Sequence, residues 1–102
     1  MNERPRVLVV DDETAILDTL RILLKREGCE VVTAVGGPQG LERLQAERPD
    51  LVLTDVRMPG VSGIEILTAA RELDAALPVI LMTAQASLQS AIRAVNEGAF
   101  YY

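Results

Sequence analysis

The chain has no histidine and no tryptophan, only one phenylalanine and two tyrosines, and a single cysteine. Each shortage excludes something. Without histidine there is no imidazole acid–base catalysis, no imidazole metal site and no phosphohistidine on this chain, so any acid chemistry must come from carboxylates. So few aromatic rings require an aliphatic core. A lone Cys29 rules out an internal disulfide and fits a reducing cytoplasm, with the thiol read as a small, half-buried residue after a helix. Basic charge is also short: 10 Lys and Arg against 15 Asp and Glu leave a net charge of −5 and no basic stripe, which argues against nucleic-acid binding by this segment. No apolar run reaches membrane-spanning length, and Met-Asn-Glu-Arg-Pro-Arg at the start lacks the apolar region of a signal peptide.

What is present suits one small domain over 1–102. The chain is 49% hydrophobic and 25% charged, a globular balance in a length that supports one core and not two. Arg6–Val10 reads as an apolar strand ending in Asp11 and Asp12. A helical pattern follows, with Ile16, Leu20, Leu23 and Leu24 inward, Lys25 and Arg26 in the last turn and Gly28 as the stop. Glu30–Ala34 is a weaker second strand. Gly36-Gly37-Pro38 opens a second helix with Leu41 and Leu44 on its inner face, closed by Arg48-Pro49.

Asp50–Thr54 is a third, continuously apolar strand that delivers Asp55, and Pro59-Gly60 forces a turn soon after. Ser62 and Glu65 match a capping box for a third helix burying Ile66, Leu67, Ala70 and Leu73. Val79–Met82 is a fourth strand ending in Thr83-Ala84. A fourth helix from about Ser87 and the start of a fifth strand at Phe100-Tyr101-Tyr102 complete the pattern.

Strand and helix alternate without interruption, which predicts an α/β fold: a doubly wound parallel sheet with helices on both faces. Ligands in such sheets bind beyond the C-terminal strand ends, where strand order reverses. Asp11, Asp12, Asp55 and Thr83 all fall there. Alone, Asp55 reads more simply as a turn-capping carboxylate and Asp12 as a helix N-cap. Their convergence on one rim reverses the preference for Asp55.

Three clustered carboxylates repel one another unless a cation or protons intervene. An all-oxygen set of this kind suits Mg²⁺, which keeps several waters and bridges to phosphate oxygens. Two carboxylates to hold the metal and one to act as nucleophile suit phosphoryl transfer through an acyl phosphate, with Thr83 offering a hydroxyl to a phosphate oxygen. A nucleotide or flavin loop fits poorly, because Asp-Asp-Glu after the first strand would repel phosphate. A haloacid-dehalogenase-like phosphatase would carry Asp-x-Asp there instead of adjacent carboxylates.

Four stretches, Val-Leu-Val-Val-Asp11-Asp12-Glu13, Asp50 to Gly63 with Asp55-Val-Arg-Met-Pro59-Gly60 inside it, Pro78 to Ala84 with Thr83, and Ala94 to Tyr102, together resemble the receiver domain of bacterial two-component response regulators. The wording around Thr83 is most similar to regulators of the nitrogen-regulatory type. The resemblance implies a flavodoxin-like sheet in order 2-1-3-4-5. It makes Asp55 the phosphoacceptor, and makes Asp11, Asp12, Asp55 and the backbone carbonyl of Arg57 the Mg²⁺ ligands. Thr83 and Tyr102 become the switch pair. It also implies a regulatory domain and not an enzyme, a sensor histidine kinase as phosphoryl donor, and an output domain, often transcriptional, outside this chain.

The family's Lys beyond the switch aromatic has no counterpart before Tyr102. The expectation is therefore a receiver truncated at its C-terminus, with an incomplete fifth strand and no fifth helix. A sheet face left bare in that way would favour a homodimer. The rival reading is thus a phosphorylation-independent self-association module.

Overall fold

The chain folds, in a computed structural model that describes residues 4–82, 92, 96, 100 and 101, around a parallel sheet whose central strands are its most apolar segments. In chain order the elements are β1 (Arg6–Asp11), α1 (Thr14–Arg26), β2 (Glu30–Val35), α2 (Gly37–Glu47), β3 (Leu51–Asp55), α3 (Gly63–Leu73), β4 (Val79–Met82) and β5 (Phe100–Tyr101). The sheet order is β2-β1-β3-β4-β5 with every pairing parallel, as the alternation of strand and helix predicts. The predicted fourth helix lies outside the described residues, apart from two helical positions at Ile92 and Asn96.

Side chains alternate across the sheet and build two cores. Leu8, Val10, Val52 and Leu81 pack with Leu44, Ile64, Ile66, Leu67 and Ala70 of α2 and α3. Val7 and Val9 point the other way, onto Leu17, Leu20 and Leu24 of α1. Because β1 is buried on both faces, it needs no polar alternation, and Val7 to Val10 are all essentially inaccessible.

The inner face of α1 differs from expectation. Leu17 is buried, whereas Ile16 is 38% and Leu23 is 47% exposed. Consecutive helical residues point about 100° apart, so a stripe through Leu17, Leu20 and Leu24 turns the residues just before Leu17 and Leu24 outward. Replacing Leu17 with Ala is therefore expected to cost about 2 kcal/mol in urea unfolding. Leu23→Ala is expected to cost under about 0.5 kcal/mol, as exposed positions do.

The ends of α1 also have identifiable causes. Glu13, not Asp12, is its N-cap residue, with no side-chain cap bond. At the other end, the Gly28 N–H donates to Lys25 O and the Cys29 N–H to Leu24 O, 3.0 and 3.1 Å, with Gly28 at φ +89°. This is a Schellman closure, and it lays Cys29 against the α1 core as the expected half-buried thiol. Helix α3 starts as predicted, its N-cap Ser62 accepting from the Glu65 N–H at 3.4 Å.

The N-terminal strand ends are tied by Arg6. Its N–H donates to Asp50 Oδ2 at 2.8 Å, its Nε to Glu30 Oε1 at 2.9 Å and its Nη1 to the Glu47 carbonyl.

Candidate functional site

At the opposite, C-terminal edge the strands deliver carboxylates. β1 ends on Asp11 and β3 on Asp55, and the pairing of Val10 with Thr54 sets these two strand ends side by side. The chain leaves β1 for β2 on one flank and returns for β3 on the other, so this edge is where strand order reverses. Asp12 follows directly on β1. One carboxylate oxygen from each of Asp11, Asp12 and Asp55 lies within 4.8 Å of the others. The three acidic residues singled out in the sequence therefore meet.

Their electrostatics are unfavourable without a cation. Asp11 is 3% exposed. Burial pushes its carboxyl up to about 6; the Glu13 N–H, donating to Asp11 Oδ1 at 2.9 Å, opposes this, and the Asp55 and Asp12 charges reinforce it. Asp55 is also raised, first by burial and further by the charge of Asp12, against a hydrogen bond from the Arg57 N–H. That bond, to Asp55 Oδ1, is long at 3.4 Å. Such a set of hard oxygens carrying excess negative charge fits a divalent cation that retains water, Mg²⁺ above all.

The loop that follows β3 is held from both sides. The Val56 N–H donates to the Met82 carbonyl and the Gly63 N–H to the Val56 carbonyl, each at 3.0 Å. A methyl group at Gly63 would overlap the backbone oxygen of Asp55, so α3 can begin this close to the acidic residue only with glycine there. Gly63 closes the Asp50 to Gly63 stretch of the receiver resemblance, but nothing in its local sequence signals this close approach. Gly60, at φ +80°, makes the turn that the Pro-Gly pair predicts. Val56, Arg57, Met58, Pro59 and Ser62 line an open depression beside Asp55. Thr83 and Tyr102, the expected switch pair, lie outside the described residues.

Residues 7–102 match the family model described as the response regulator receiver domain. The chain belongs to that family. As a receiver it is part of the two-component machinery, in which signalling depends on phosphorylation. The transcriptional regulatory protein PrrA of Mycobacterium tuberculosis is 38% identical over 98 residues, which cover 96% of this chain and 42% of PrrA. The DNA-binding transcriptional regulator NtrC of Escherichia coli K12 is 39% identical over 100 residues, covering 98% of this chain and 21% of NtrC. The receiver thus spans less than half the length of these regulators. Among solved structures, a CheY-like receiver domain protein from Methanospirillum hungatei superimposes with a TM-score of 0.93 at 37% identity, covering 98% of this chain and 80% of that one. Among the described residues, no helix is long and apolar enough to cross a membrane.

Proposed function

We propose that the receiver is a phosphorylation-dependent switch in which Asp55 is the phosphoacceptor, with Mg²⁺ held by Asp11, Asp12, Asp55 and the backbone carbonyl of Arg57. The observation that carries this reading is the meeting of three carboxylates at the strand-order reversal, one of them buried and held above the ordinary carboxylate range. A bound Mg²⁺ supplies positive charge that offsets the carboxylates and the oxygens of an incoming phosphoryl group. An oxygen of Asp55 then forms the new bond to phosphorus as the bond to the donor's leaving group breaks, giving an acyl phosphate on a residue with open surface beside it.

The donor is a sensor histidine kinase in the cytoplasm. The chain, lacking histidine, receives the group and does not originate it. Thr83, through its hydroxyl, and Tyr102 are the switch pair that responds to the phosphoryl group. An output domain beyond this chain reads the change, as the regulator names of the relatives suggest. No observation among the described residues favours self-association independent of phosphorylation.

Intact-mass spectrometry tests the proposal. Acetyl phosphate with Mg²⁺ is expected to add one phosphoryl group, and removing the metal with EDTA should reduce incorporation to background. No mass gain with Mg²⁺ present would overturn it.

A further inference from the structure

We infer that Gly37, at the start of α2, is a positioning residue for the Mg²⁺ and phosphoacceptor site, an inference that rests on the function proposed above. The two consecutive glycines before Pro38 are glycine for different reasons. Gly36 has φ +85° and ψ 166°, a conformation essentially closed to other residues, yet a Cβ there would meet nothing within 4 Å. Gly37 has no positive φ, so other residues fit its backbone. What it lacks is room: a Cβ there would overlap the carbonyl oxygen and Cβ of Val61. Gly37 is buried at that contact.

Val61 lies in the segment that leads from Asp55 to α3. The far end of that segment cannot yield. Gly63 bonds back to the Val56 carbonyl at 3.0 Å, and there is no space between Gly63 and the backbone of Asp55. A push at Val61 is therefore passed back toward Arg57, whose N–H reaches Asp55 Oδ1 and whose carbonyl is assigned to the metal. The same turn also touches the other half of the site, because the Gly36 N–H donates to the Asp11 carbonyl at 3.0 Å. The start of α2 thus seats the ends of β1 and the loop after β3 against each other. Groups that orient ligands without touching the metal commonly matter about 10-fold or more for affinity.

The test compares Gly37→Ala with Gly28→Ala in the same protein. Gly28 has φ +89° and open space around its Cβ, and it closes α1 away from the carboxylates, so its substitution strains the fold without pressing on the loop. Mg²⁺ affinity is measured by calorimetry, and the acetyl phosphate reaction as a function of Mg²⁺, at a temperature where circular dichroism shows each variant folded. Gly37→Ala is expected to raise the Mg²⁺ dissociation constant about tenfold, with most of the lost rate recovered at saturating Mg²⁺. Gly28→Ala should leave both unchanged. Should Gly37→Ala fail to fold, Val61→Gly withdraws the same contact from the loop side without adding an atom, and is expected to weaken Mg²⁺ binding in the same direction. Unchanged Mg²⁺ affinity in whichever of the two folds would overturn the inference alone. Failure of the unsubstituted protein to bind Mg²⁺ or accept a phosphoryl group would overturn the functional reading together with it.

Discussion

Asp55→Asn is expected to abolish phosphoryl incorporation from acetyl phosphate while raising the melting temperature of the Mg²⁺-free protein. The amide keeps the shape of the side chain but offers no anionic oxygen to attack phosphorus. It also removes a charge that the fold holds at a cost, since burial and the charge of Asp12 both raise the Asp55 carboxyl above its ordinary value. Losing a repelling carboxylate should relieve Asp11 as well, because the Asp55 charge is one of the causes of its shift. Opposite signs for reactivity and stability are the diagnostic result. A protein that loses both has simply been damaged. One that keeps phosphoryl uptake has its acceptor elsewhere.

Stability of the metal-free protein should fall by about 3 kcal/mol in all as the pH rises from well below 4 to well above 6 through the titration of Asp11 alone. The folded carboxyl titrates near 6, against an ordinary 3.8. Between these values the unfolded chain has already lost its proton and the folded one retains it. The unfolded state therefore binds fewer protons, and folding weakens with rising pH until both forms are ionised. Below about 4 the penalty is absent, and above the folded value it is complete. Asp55, raised in the same direction, adds to the slope. Denaturant unfolding at a series of pH values measures it, and two changes should flatten it: Asp11→Asn, which removes the titrating group, and Mg²⁺, which compensates the charge. A slope indifferent to both would mean that the carboxylate cluster is not where this strain resides.

Much of the molecule is legible in the sequence because its signals are redundant. Val7 to Val10 and Leu51 to Leu53 are too uniformly apolar to be anything but strands buried on both faces. Alternation with helices then fixes a parallel sheet, which places Asp11 and Asp55 on one edge before any coordinate is known. The face of α1 was less legible because it is over-supplied. Ile16, Leu17, Leu20, Ile22, Leu23 and Leu24 offer more apolar residues than one inward stripe can hold, and only the sheet decides which are buried. The cap of α1 escaped because Asp12 is the residue type that suits an N-cap, yet the cap falls on Glu13 without a side-chain bond, and the buried Asp11 takes the Glu13 N–H for itself. Gly37 could not have been found by pattern, since its requirement is a collision with Val61, 24 positions away in the sequence.

Arg6 bears on how this protein could be altered. It draws together the starts of β1, β2 and β3 and the end of α2, about 16 Å along β1 from the carboxylates. The same strands thus carry fastening at one end and reactivity at the other. Variation at the Arg6 end can retune heat tolerance while leaving the carboxylates alone, whereas variation on the acidic rim moves reactivity and stability together. Lineages and engineers alike inherit one end of the sheet that can be adjusted for stability alone.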